Sequence, residues 1–164
     1  MSTSILSEES PGYGNDVQQA ATLLQATQAL IDSALSDLKR RTGGTPGALD
    51  DHQWACYDLA LSWSECTAAG FLLGHAEKLP EDEFAGRLAA LFCADAVTNS
   101  LNRLRAHPQD FGLTPGDIQA VDSEPGAAAF LAGQLAAQNV ADIGQVVIDR
   151  EGDLGPDLLS EHHT

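Results

Sequence analysis

Five histidines and three cysteines are the side chains in this 164-residue chain best suited to metal or nucleophilic chemistry, and their spacing argues against both. The histidines are His52, His75, His107, His162 and His163. A zincin site needs two histidines four residues apart on one helix with a glutamate between them, and no His-Glu-x-x-His stands here. A di-iron bundle site repeats Glu-x-x-His on two helices, but Glu65 is followed three residues on by Ala68. His162 and His163 follow Glu161, yet neighbours near a chain end do not by themselves converge on one ion. Cys56 and Cys66 fall on one expected helix, roughly 15 Å apart along its axis, too far for a disulfide. An odd cysteine count without Cys-x-x-Cys points to buried thiols in a reducing compartment. Cys66 and Cys93 lack the basic neighbour that would activate them, so they are expected to be inert.

The remaining constellations are equally bare. A P-loop, a GxGxxG, a GxSxG and a CxxCH haem attachment are all absent. Asp95 sits inside Leu91-Phe92-Cys93-Ala94-Asp95-Ala96-Val97. If buried, its carboxylate needs a partner, with Arg87, Arg103 and Arg105 the nearby cations. The expected role is structural, an interhelical hydrogen bond or plain exposure, and Asp58 is read the same way. Trp54 and Trp63 are expected as core or interface aromatics rather than a ligand cage. The residues therefore assign no catalytic side chain and no metal ligand, and leave cofactor-binding residues open.

The elements that would position such groups are helices. Alanine and leucine dominate, which favours helix over sheet. A polar tail is expected over 1–14, a helical bundle over 15–149 and a second tail or linker over 150–164. The first helix starts near Asn15 or Asp16, with the stripe Val17, Ala20, Leu24, Thr27, Ile31, Leu35 and Leu38, and ends at Gly43-Gly44. The second runs from about Ala48 to Ala76 with the seam His52, Cys56, Leu59, Trp63, Cys66, Gly70 and Leu73. The third runs from about Glu81 to Arg105 and stops before Pro108. Segments 52–76 and 84–106 read as two long helices packed back to back, and helix two, apolar nearly all round, should be buried on several sides. Residues 108–125 read as loop with at most one short turn. A fourth helix is expected from about Glu124 to Asn139, capped by Ser123, with Ala128, Leu131, Leu135 and Val140 inward. Val140–Asp149 can form a short fifth. Short connections make an all-α, single-domain, up-down bundle the simplest architecture.

Charge and hydropathy narrow the partners. With 24 acids against 8 bases, the net charge of −16 opposes nucleic acid and anionic membrane surfaces alike. No signal peptide and no run of about 18 apolar residues is visible, so a cytoplasmic chain is expected.

Three segments resemble one family. Tyr57-Asp58-Leu59-Ala60-Leu61-Ser62-Trp63-Ser64-Glu65 and Phe84-Ala85-Gly86-Arg87-Leu88-Ala89-Ala90-Leu91-Phe92-Cys93-Ala94-Asp95 look like helical-bundle segments of acyl-CoA dehydrogenases. Gly152-Asp153-Leu154-Gly155-Pro156-Asp157-Leu158-Leu159-Ser160-Glu161-His162 resembles the lead-in to that family's flavoprotein core. Members similar to methylsuccinyl-CoA dehydrogenase carry an extra helical region before the core, and most of this chain looks like that extension. The resemblance implies an FAD-dependent enzyme whose cofactor and glutamate base belong to the core. Neither has a counterpart here, so no catalytic residue carries over. The expected role is a non-catalytic helical module that packs on a dehydrogenase core or another subunit, with homo-oligomers possible. The alternative is a free-standing helical protein that binds a small molecule or a protein between its helices.

Overall fold

The computed structural model describes residues 13–151 and 153. The chain is all-α: α1 Tyr13–Thr42, α2 Pro46–Asp50, α3 Gln53–Lys78, α4 Glu83–Ala106, α5 Pro115–Asp122, α6 Ala127–Gln134 and α7 Ala137–Asp149, with a 3₁₀ turn at Pro108–Phe111. Three long helices, α1, α3 and α4, pack on one another, and α5, α6 and α7 lie mainly against α1 and α4.

Close residue pairs give the directions. Gln28 meets Cys66 and Gly70 faces Leu24, so α1 and α3 run antiparallel. Arg103 meets Ser62 and Ser100 meets Cys66, so α3 and α4 run antiparallel as well. This is the up-down arrangement that short connections impose.

α1 buries Ala20, Leu23, Leu24, Thr27, Ile31, Ala34 and Leu38. The i, i+3, i+4, i+7 spacing makes these one stripe. Thr27 is tolerated in that stripe because its hydroxyl donates to the Leu23 carbonyl at 2.8 Å. Leu35, expected inward, is exposed, and Ala34 takes its place.

α3 differs most from expectation. Its buried residues are Ala55, Leu59, Ser62, Cys66, Ala69, Leu73 and Ala76. Alternating steps of four and three make this a heptad seam of small residues. Of the expected seam Leu59, Cys66 and Leu73 are buried, His52, Cys56 and Gly70 are half-buried and Trp63 is exposed, while Ala55, Ser62, Ala69 and Ala76 complete the buried face; Trp54 and Trp63, expected as core or interface, are both exposed. The helix is also not buried on several sides. α4 is the enclosed helix, with twelve buried residues from Phe84 to Leu104. The expected continuous helix 48–76 breaks at Asp51 and His52. Asp50 and Asp51 put negative charge where the C-terminal end of a helix disfavours it.

The late segments carry further corrections. Asp82, not Glu81, opens α4, its carboxylate accepting from Phe84 N at 3.0 Å and Ala85 N at 3.3 Å. The expected loop at 108–125 holds the 3₁₀ turn and α5. α5 starts with Thr114 as cap, Pro115 in the first turn and Asp117 returning a bond to Thr114 N at 2.7 Å. Gly126 in the left-handed conformation caps α6, while Ser123 ends α5. α6 buries Ala127 and Phe130; of the residues expected inward, Leu131 and Leu135 pack half-buried against the core, while Ala128 and Val140 are exposed. The chain turns at Leu135–Ala136 between α6 and α7, so 124–139 is not one helix. Arg150, just past α7, lies 4.5 Å over the Phe84 ring and 3.6 Å from Asp82.

Candidate functional site

Three regions gather functional side chains, and the first is the polar seam between α3 and α4. Arg103 Nη1 donates to Glu65 Oε2 at 2.7 Å and Nη2 to Oε1 at 2.8 Å, with Ser62 Oγ 3.4 Å from Nη1. The side chains are only 22% and 30% exposed. The bond to Glu65 holds the Arg103 guanidinium above its ordinary value. Both carboxylate oxygens of Glu65 are taken up by the guanidinium fork, a geometry that fixes the side chain between the two helices. Replacing Arg103 by methionine should destabilise the chain by about 2 kcal/mol, since Glu65 is left half-buried without its partner. Urea denaturation of the variant checks this, and a change under 0.5 kcal/mol would class the pair with ordinary surface bridges, worth about that much.

The thiols are screened. Cys66 Sγ lies 3.5 Å from Ser100 Oγ, and Cys93 Sγ donates to the Ala20 carbonyl at 3.3 Å. Burial raises the Cys66 pKa and pushes Cys93 up to about 12. In the native chain a thiol reagent should therefore titrate Cys56 alone, the half-buried one, and reach all three only after unfolding. The sign for stability follows: unfolding releases these thiols to ionise near 9, so stability falls as pH rises from 9 toward 12. A pH series of denaturation midpoints reads the slope.

The described histidines do not meet on a common point. His52 precedes α3, His75 sits in its last turns, and His107 ends α4, where Trp54 packs edge-on at 4.5 Å between ring centres. His162 and His163 lie outside the described residues, as do Glu161 and most of the third resembling segment. Among the described residues no group of three His, Cys, Asp or Glu side chains converges as metal ligands do. Asp95 is exposed on α4 and accepts from Asn99 Nδ2 at 3.1 Å, a bond within its own helix.

The second region is a groove of about 590 Å³ between the C-terminal half of α1 and the N-terminal half of α3. Leu38 and Leu59 floor it, Leu35, Leu49 and Trp63 wall it, and Lys39 stands at its edge. Its volume suits a small apolar ligand. The groove does not fit FAD, whose pyrophosphate needs a glycine-rich turn or several converging donors; Lys39 is the single cation in its lining.

The third region is the outer face of α3. All eight exposed residues between Gln53 and Ala76 are uncharged, in a chain where one residue in five is charged. Tyr57 is 63% and Phe71 77% exposed, with Ala60, Ser64 and Ala68 between them. The sequence led to an apolar packing surface on the two long central helices, without saying which side of α3 stays open. The useful signal was the charge gap, unusual for the solvent side of a surface helix.

No protein-family model, curated protein or solved structure matches the chain. No helix among the described residues is long and apolar enough to cross a membrane.

Proposed function

We propose that the chain is a non-catalytic helical module that works by packing against protein through the open face of α3. The observation that carries this reading is the uncharged, aromatic-bearing surface that runs the length of that helix in a chain of net charge −16. Contiguous apolar exposure of this kind marks interaction sites rather than ordinary solvent faces. The resemblance adds a candidate partner, the flavoprotein core of an acyl-CoA dehydrogenase-like enzyme, with FAD and the catalytic base residing in that core. The test is light-scattering mass on size exclusion, with the chain alone and co-expressed with such a core. A mass above 17.2 kDa for the chain alone, or its co-elution with the core at their summed mass, supports the reading, and a lone monomer that elutes apart from the core ends it.

A second reading rests on the groove. Its apolar lining and edge lysine fit an apolar anion. Saturable binding of anilinonaphthalene sulfonate at one per chain, lost on Leu35→Glu, supports it; no saturation removes it.

A further inference from the structure

Resting on that packing role, we infer that the occupant of the α3 face is a second copy of this chain, docked antiparallel about a two-fold axis through Ser64. A two-fold interface must be self-complementary, each residue i meeting a residue j that meets i in return. The outer face of α3 has that property in its residue order. Counting outward from Ser64, Ala60 mirrors Ala68, Leu61 mirrors Thr67, and Tyr57 mirrors Phe71. These positions follow the 3–4 spacing that keeps residues on one helix face. The centre is small and an aromatic stands at each end; Leu61 and Thr67 differ in size, and Trp63 mirrors Glu65, so the match holds along the central line through positions 57, 60, 64, 68 and 71 and not at its flanks.

The packing consequence is direct. Small residues at a crossing let two helices approach to about 8 Å. At that distance each Tyr57 ring would lie against the Phe71 ring of the other copy, giving two aromatic pairs related by the axis. Single-handed recognition by an unrelated protein requires no such symmetry.

Charge selects the same occupant. Two copies of a chain at −16 repel, and most faces would set carboxylate against carboxylate. The α3 face is where two copies can meet without doing so. A basic partner would seek the acids this face lacks. The strip from Gln53 to His75 is about 33 Å long, modest against the ~800 Å² per partner of a standard interface. Association should therefore depend on concentration, and salt should strengthen it by screening the long-range repulsion.

The experiment is analytical ultracentrifugation of the full chain up to about 1 mM, the weak limit of specific affinity, at low and high salt, joined to cysteine cross-linking. The mass should rise from 17.2 kDa toward twice that value, more readily at high salt. Ser64→Cys lies on the axis and should cross-link to its own copy under mild oxidation. Ala68→Cys should not, because its two copies sit about 12 Å apart along the helices. Phe71→Glu, at a solvent-exposed position that leaves the core intact, should weaken association at least tenfold. Three results would overturn the inference: a monomer under all these conditions, cross-linking at 68 in preference to 64, or a dimer indifferent to Phe71→Glu. A chain that stays monomeric yet binds a dehydrogenase core through α3 overturns the second copy and leaves the packing role standing.

Discussion

Truncating Phe111 to alanine should cost about 3–5 kcal/mol, the range for removing a buried aromatic from a closed core. Phe111 is fully buried and is the bulkiest of the enclosed side chains, although it sits in a four-residue 3₁₀ turn rather than a long helix. The turn packs on α1 and α4. Its backbone is closed by Leu113 N donating to the Pro108 carbonyl at 2.9 Å. Such a turn has little stability of its own, so the ring anchors the passage from α4 into α5. Trp54 lies 6.5 Å from that ring, centre to centre, and reports on the change by fluorescence. Equilibrium unfolding in urea should show a lower midpoint with an unchanged slope. A loss below 1 kcal/mol would mean the turn is not anchored by its aromatic residue.

Gly112→Ala should lose about 3 kcal/mol, from two causes that add. Gly112 has φ +65°, a region that side-chain-bearing residues enter at a penalty. A Cβ there would also fall 2.8 Å from the Cβ of Asp37 and closer still to its carboxyl group. That carboxylate cannot step aside freely, because Arg41 Nε donates to it at 2.7 Å and Arg40 pairs with it too. Arg41 also reaches the Asp110 carbonyl, tying the end of α1 to the 3₁₀ turn. Desolvation alone would raise the Asp37 carboxyl, but the bonds from Arg40 and Arg41 outweigh it and hold the group below its ordinary 3.8. The pair therefore stabilises the native chain above pH 3.8, and this contribution is lost as pH falls through the lower folded value. In Gly112→Ala the acid-side loss should shrink, which a pH series of unfolding midpoints measures.

The long helices were legible in the residues, and so was the buried face of α1; that of α3 was only partly so. Thr27 and Ile31 mark the α1 stripe, and Gly43-Gly44 its end, because branched or large apolar residues recur there at helical spacing. In α3 the same logic misleads. Its seam alternates Ala55, Ser62 and Ala69 with larger residues, and alanine or serine looks alike on a buried face and a wet one. Trp63 draws the reading toward its own side, yet it lines the groove. Thr114-Pro115-Gly116-Asp117 did carry a start signal for α5, a capping box with proline in the first turn. It was hidden by proline and glycine, which also mark loops. The split between α6 and α7 at Leu135–Ala136 has no proline, only Gly133 in the last turn of α6, whose carbonyl accepts from Ala136 N at 3.3 Å, a weak signal in an alanine-rich run. The open face of α3 was only partly readable: the uncharged positions from Tyr57 to Phe71 signal it, but apolar residues around a whole helix suggest burial on every side, and the fold tells which side lacks a neighbour.

Alanine against alanine makes a smooth contact. The buried faces of α3 and α4 are rich in small residues such as Ala69, Ala76, Ala89 and Ala96, which offer few protrusions to stop one rod from sliding past the other. A slip of one turn, about 5.4 Å, would swap one small residue for another with little penalty. It would also part the Arg103 fork from Glu65 and leave two half-buried charges without their partners. The pair thus acts as a detent, fixing alignment on a surface whose shape alone would allow several.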